Sequence, residues 1–270
     1  MKLILMGTND FVVPVFDDLA NKHDVIGVFT RAPKPMGRKH VLTPSPVHQW
    51  ADSRDLTVHT SIKEFDSISE KPDMIIVFSY GVILRDNVLN AAPCVNVHPS
   101  SLPKYRGPSP IRTALMNGDK NMDVCLMSMT AEMDAGDIYM RENIDIDIND
   151  NNETLENKVS MVAIDMLNKY MENPNAYIAQ PQIGEPSFTR KFDGNDEIID
   201  WNKTPIQIHN QIRALGCGRT RINGIDVKIL ETKFENDELR IIKIQPSGKN
   251  PMDWKSFVNG LHGADIKYGE

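Results

Sequence analysis

The stretch Lys2-Leu3-Ile4-Leu5-Met6-Gly7-Thr8-Asn9-Asp10 is a continuous apolar run that stops at a glycine and three small polar residues. A strand buried on both faces reads as such a run rather than as an alternation, which is the habit of parallel sheets. Phe11, Val12, Val15, Phe16 and Leu19 then recur at near-helical spacing, and residues 25–30 form the next apolar run. Strand, helix, strand is a βαβ unit, whose crossover is right-handed. The opening turn holds one glycine, so the G-x-G-x-x-G dinucleotide fingerprint is absent and a nicotinamide or flavin cofactor is disfavoured.

Outward from that unit the alternation continues. Pro46–Ser53 predicts a helix with Val47, Trp50 and Ala51 on one face, followed by a brief strand at 56–58. Met74–Phe78 is the most apolar strand, residues 86–91 a short helix and residues 94–97 a further strand. Pro110–Asn117 reads as a helix opened by proline and closed at Asn117-Gly118. A strand is expected at 124–129, and an edge strand at 144–148, where Asp145 and Asp147 alternate with apolar residues. A helix runs from 152 to about 171, and residues 174–192 lose any period. Thr204-Pro205-Ile206 reads as N-cap, N1 proline and helix to Leu215, before strands at 225–230 and 239–244 and a last helix at 252–259. The expectation is a mostly parallel α/β domain over 1–183, a linker over 184–203 and a small appended module over 204–270.

Bulk properties narrow the class. A chain of 270 residues, 40% hydrophobic and 25% charged, accommodates one large soluble domain and a small one. No segment approaches the roughly 18 apolar residues needed to span a bilayer, and the first apolar run is too short for a secretory signal. The net charge of −7 argues against a surface that coats nucleic acid throughout. The last 67 residues carry 10 basic and 8 acidic side chains, too mild an excess to imply a nucleic-acid partner. Cys94, Cys125 and Cys217 are odd in number, scattered and far from any histidine pair, which fits reduced thiols in a cytoplasmic protein and no metal site.

Ligands of open parallel sheets bind beyond the carboxyl ends of the strands. Three such ends carry distinctive residues: Ser79-Tyr80-Gly81, Asn96-Val97-His98 and the loop holding Asp134. Asn96 and His98 share one side of an extended strand end, and Pro99, Pro103 and Gly107 then force a defined loop. An amide can donate to an oxygen that becomes negative in a tetrahedral intermediate, an imidazole can carry a proton near neutral pH, and a carboxylate can orient that ring. The set suits acyl transfer to a nucleophile that the enzyme does not supply. Ser100 and Ser101 lack the G-x-S-x-G elbow and Cys94 sits in an apolar strand, so a covalent mechanism is less natural. Taken singly, Asn96, His98 and Asp134 read equally well as turn-capping residues.

Residues 31–40 form a loop by their prolines and glycine, with Arg31, Lys34, Arg38 and Lys39 and no acidic residue. On composition alone it is a solvated surface loop; its functional reading is a basic finger that meets phosphates.

The combination Asn96-Val97-His98-Pro99-Ser100, Leu102-Pro103-Lys104-Tyr105-Arg106-Gly107, Pro110-Ile111 and Met133-Asp134-Ala135-Gly136-Asp137 resembles the 10-formyltetrahydrofolate-dependent formyltransferases, and within them the branch that formylates methionyl-tRNA. Gly37-Arg38 with Pro44-Ser45-Pro46-Val47 looks like the tRNA-contacting loop of that branch, and Ile199-Asp200-Trp201 with Ile212-Arg213-Ala214 like pieces of its OB-like C-terminal barrel. The resemblance implies a Rossmann-like catalytic domain, 10-formyltetrahydrofolate as formyl donor, initiator methionyl-tRNA as acceptor and no metal; beside it stand the expectations of no membrane partner, from the short apolar runs, and of a monomer, an oligomeric state that the sequence itself does not give. It implies Asn96, His98 and Asp134 as the catalytic set. It places folate around Phe78, Ser79, Tyr80, Gly81, Ile83 and Leu84, and gives tRNA contacts to Arg38, Lys34 and Lys39. Leu215-Gly216-Cys217-Gly218-Arg219 replaces the family's proline-tryptophan-proline element, and little sequence separates 230 from 239, so the C-terminal module is expected to be abbreviated. Two rival readings are a formyltransferase acting on a nucleotide-linked amino sugar, and a folate- or tRNA-binding relative without catalysis. Hydrolysis of the formyl-folate is a third.

Overall fold

In a computed structural model, which describes residues 1–37 and 39–270, the opening run is a strand, β1 (Lys2–Gly7), buried from Leu3 onward. There follow α1 (Val13–Lys22), β2 (Asp24–Phe29), β3 (Lys34–Met36), β4 (Val41–Thr43), α2 (Pro46–Ser53), β5 (Val58–His59), β6 (Met74–Phe78), α3 (Asp86–Leu89) and β7 (Cys94–His98). Next come α4 (Pro110–Asn117), β8 (Asn121–Ser128), β9 (Ile138–Asp145), α5 (Asn152–Glu172) and α6 (Pro205–Leu215). The chain ends with β10 (Gly218–Ile222), β11 (Ile225–Glu235), β12 (Glu238–Pro246), β13 (Met252–Asp253) and α7 (Trp254–Asn259). Two compact units result, one of residues 1–108, 123–144 and 156–188, the other of 109–122, 145–155 and 189–270.

The first unit is built on a seven-stranded sheet in the order β5-β2-β1-β6-β7-β8-β9. Pairs β2/β5, β1/β2, β1/β6 and β6/β7 are parallel, and β7/β8 is antiparallel, so the sheet is mostly parallel and Rossmann-like. All five residues of β6 are buried, as a strand covered on both faces requires. The chain winds from β1 outward through β2 and β5, then returns to start again at β6. The crevice between the carboxyl ends of β1 and β6 is therefore the topological switch point where such sheets take ligands.

Two expectations are corrected. The edge strand occupies 138–145 instead of 144–148, because exposed Arg141, Glu142 and Asn143 hide its alternation; Arg141 and Asn143 turn to Asp123, at 2.7 Å each. Within residues 31–40, expected to be irregular, β3 begins a two-stranded antiparallel hairpin that pairs Pro35 with Leu42.

The second unit carries an antiparallel sheet in the order β10-β11-β12-β13. Its central strands are longer than expected and turn at Asn236-Asp237, both with positive φ (52° and 62°), the backbone that a tight two-residue hairpin demands. Helix α6 is buried from Ile208 through Ala214, polar residues included. Burial is tolerated because the donors of His209, Gln211 and Arg213 find carbonyls, while Gln211 Oε1 has no partner among the described residues. His209 Nε2 donates to the Ile148 carbonyl at 2.9 Å, Gln211 to those of Asp196 and Ile198 at 2.6 and 2.8 Å, and Arg213 to those of Asp147 and Asp150 at 3.0 and 3.1 Å. Among the described residues, no helix is long and apolar enough to cross a membrane.

Candidate active site

Strand β7 delivers Asn96 and His98 to one face of the sheet, 7% and 5% exposed. The loop that follows turns tightly. Ser100 N–H donates to the His98 carbonyl (3.0 Å) and Leu102 N–H to that of Ser100 (2.9 Å), and Tyr105 adopts a φ of 65°. The Tyr105 carbonyl thereby comes 3.1 Å from His98 Nε2. A carbonyl only accepts, so Nε2 carries the ring hydrogen and donates it there. Nδ1 is left facing Asp134 Oδ1 at 3.6 Å.

Asp134 stands in the loop between β8 and β9 with a φ of 51°, a left-handed conformation that is uncommon outside glycine. Its Oδ2 accepts the Gly107 N–H at 2.7 Å, which fixes the carboxylate between the 99–107 loop and the imidazole. Gly136 shapes the same turn: a Cβ there would lie 1.8 Å from the Ser128 carbonyl oxygen. Asn96, His98 and Asp134 are thus gathered at one strand end, and no hydrogen bond to the Asn96 amide is present among the described residues.

The segment 182–188 holds this loop pair from outside. Tyr105 N–H donates to Ser187 Oγ (2.9 Å), Arg106 N–H to the Ser187 carbonyl (2.9 Å), and Ser187 N–H to the Pro103 carbonyl (3.2 Å). Gln182 Nε2 donates to the carbonyls of Asp134 and Gly136, both at 2.8 Å. Its Oε1 accepts from Arg106 Nε and Nη2 at 3.1 and 2.8 Å, and Arg106 Nη1 pairs with Glu132 at 3.1 Å. Sequence reasoning did not single out Gln182, Ser187 or Glu132. They lie in aperiodic segments and act only through contacts distant in the chain.

At the carboxyl end of β6 the residues divide. Phe78, Tyr80 and Leu84 are buried, Phe78 edge-on to Phe11 at 5.1 Å, and burial pushes the Tyr80 phenol up to about 12. Ser79 (φ 53°) and Gly81 (φ 72°) turn the chain, Asn9 Nδ2 donates to Ser79 Oγ at 2.8 Å, and Ile83 is 78% exposed. Burial raises the thiols of Cys94 and Cys125 to about 12 and 11, so neither is a ready nucleophile. Among the described residues, no group of three or more His, Cys, Asp or Glu side chains could hold a metal ion. Lys34 and Lys39 are exposed in the 34–43 hairpin, and Arg38 lies outside the described residues. The second unit has its own concavity of ≈ 760 Å³, lined by Trp201, Lys203, Arg240, Trp254 and Tyr268 among others.

Residues 1–170 match the formyl transferase family, and residues 191–239 match the formyl transferase C-terminal domain. This chain belongs to the formyl transferase family. Asn96, His98 and Asp134 all fall within the larger match, so the site described above lies in the formyltransferase domain proper. Among curated relatives, the methionyl-tRNA formyltransferase of Macrococcus caseolyticus is 33% identical over 295 residues, covering 96% of this chain and 95% of its own. Among solved structures, a methionyl-tRNA formyltransferase from Clostridium thermocellum superposes with a TM-score of 0.65 at 16% identity, over 91% of this chain and 98% of that one. WlaRD, a sugar 3N-formyl transferase solved in the presence of dTDP and 5-N-formyl-THF, gives 0.69 at 19% identity over 93% and 99%. Both structural likenesses bear on the fold of this formyltransferase alone.

Proposed function

We propose that this formyltransferase moves a formyl group from 10-formyltetrahydrofolate to the α-amino group of methionine esterified to initiator tRNA. The observation that carries this reading is the 33% identity, over 96% of the chain, to a relative named for that reaction. Catalysis is assigned to Asn96, His98 and Asp134. The amine attacks the formyl carbon, the C–N bond to the folate breaks, and the oxygen is transiently negative. The Asn96 NH2 is the donor that stabilises that oxygen; one preorganised donor of this kind contributes roughly 3 kcal/mol to the barrier difference. His98 Nδ1 takes the proton the amine loses, since Nε2 is engaged with the Tyr105 carbonyl, and gives it to the folate nitrogen as that nitrogen leaves; Asp134 at 3.6 Å balances the ring's charge in between.

The folate is assigned to the segment 78–84. Ser79, Gly81 and Ile83 offer its contact surface, while buried Phe78, Tyr80 and Leu84 support that surface from below. Lys34, Arg38 and Lys39 meet the acceptor stem through phosphate contacts. Residues 1–183 act as the catalytic domain, 184–203 as linker and 204–270 as tRNA-holding module, and the unpaired buried thiols suit a cytoplasmic enzyme. The test is a side-by-side assay of methionyl-tRNA and a nucleotide-linked amino sugar as formyl acceptors. Formylation of the tRNA supports the reading, and formylation of the sugar alone overturns it.

A further inference from the structure

Gln182 carries chemistry that the proposed reaction does not use directly. Its amide is read at both ends by unlike partners. Nε2 faces two carbonyls, those of Asp134 and Gly136, and Oε1 faces two guanidinium nitrogens of Arg106. Turning the amide over would set oxygen against two carbonyls and NH2 against a cation, so one orientation is fixed. The two carbonyls it grips belong to the turn that carries the catalytic carboxylate, where Asp134 holds an uncommon φ of 51°. Arg106 is only 9% exposed and is adjacent to Gly107, whose N–H holds Asp134 Oδ2 at 2.7 Å. The backbone of Asp134 is thus pinned by Gln182 and its side chain by Gly107, and both pins meet at Arg106.

We propose that Gln182 is a positioning residue: through Arg106 and the two turn carbonyls it sets Asp134 against His98 for formyl transfer. This rests on the assignment of Asn96, His98 and Asp134 as the catalytic set. Gln182 has no direct share in the chemistry, so its effect must pass through the Asp134 carboxylate. A displacement of about 1 Å at a catalytic group costs on the order of 10²-fold, and a loss of 10- to 100-fold in kcat is expected when the grip is released.

The experiment is a double-mutant cycle on the full chain. Formyl transfer is measured for wild type, Gln182→Met, Asp134→Asn and the double variant, with KM for the folate and a thermal melt for each. The expected result is a fall in kcat for Gln182→Met with KM for the folate within about twofold, and no further loss when it is added to Asp134→Asn. Gln182→Glu keeps the acceptor for Arg106 but loses both donors. It should fall as Gln182→Met does, and it serves in the cycle if the methionine variant does not fold. Additive losses, a change confined to KM, or an unchanged kcat overturns the proposal while leaving the catalytic assignment standing. An unchanged rate in Asp134→Asn alone removes that assignment, and the proposal with it.

Discussion

Oδ1 of Asp134 lies 3.6 Å from Nδ1 of His98, while Nε2 of the same ring donates to the Tyr105 carbonyl at 3.1 Å. The ring is thereby held in one tautomer with its proton-accepting nitrogen beside a carboxylate. Asp134→Asn keeps the shape and the bond to Gly107 but removes the charge. It should lower kcat by about 10²- to 10⁴-fold, the usual range for losing general acid–base support, with the thermal midpoint nearly unchanged. Stopped assays at saturating folate measure it, and activity within threefold of wild type would refute the role.

Asn96→Ala removes the donor assigned to the developing oxyanion. A loss of roughly 10²- to 10³-fold in kcat is expected, with little change in KM. A rise in KM at constant kcat would mean instead that the amide binds ground state and transition state alike.

Gly136→Ala tests the turn rather than the chemistry. Its Cβ would sit 1.8 Å from a backbone oxygen, which no rotamer change can relieve. The variant should lose about 1–3 kcal/mol or more of stability, as overpacked sites do, read as a lower urea midpoint. An unshifted midpoint would show that the turn has another packing available.

A pH effect arises in the second unit. His209 is 1% exposed, and burial lowers its pKa below the ordinary 6.5. The neutral ring is required in the fold, with Nε2 donating to Ile148 and Nδ1 accepting from Thr232 at 2.8 Å. Below 6.5 the unfolded chain therefore binds the extra proton and the folded chain does not. Stability from this group is complete above about 6.5 and is lost as pH falls through the window beneath it. The difference in urea midpoint between wild type and His209→Gln should shrink on acidification from pH 7.5 to 5.5, and a constant difference would contradict the assignment.

How much of this could be read from the chain depends on how local the cause is. Helices α2, α4 and α6 were legible to the residue, because a proline at the first position and a cap beside it fix a terminus within a few residues; Thr204 and Gln207 form a reciprocal capping box. Strand β10 was missed, since Gly218-Arg219-Thr220-Arg221-Ile222 has charges between its buried ends and owes its place to pairing with β11. Asn96 and His98 could be placed on one face from their spacing alone. The approach of Asp134 could be expected from its loop at a neighbouring strand end, and the family resemblance named it in the catalytic set, but the grip of Gln182 across 48 residues had no local signal.

The basic hairpin supplies a separate test of acceptor choice. Arg38→Ala, alone and with Lys34→Ala and Lys39→Ala, should raise KM for methionyl-tRNA and flatten its salt dependence by about one counterion per lost contact, while folate binding holds. An unchanged rate at subsaturating tRNA would return these residues to plain surface charge.

The most direct measurement of the central claim is single-turnover transfer of labelled formyl from 10-formyltetrahydrofolate to methionyl-tRNA by wild type and His98→Ala. The wild-type chain should deliver label to the α-amino group, and His98→Ala should bind the folate as tightly yet transfer it at least about 10²-fold more slowly. Transfer at the wild-type rate by a folded His98→Ala would contradict formyl transfer at this site.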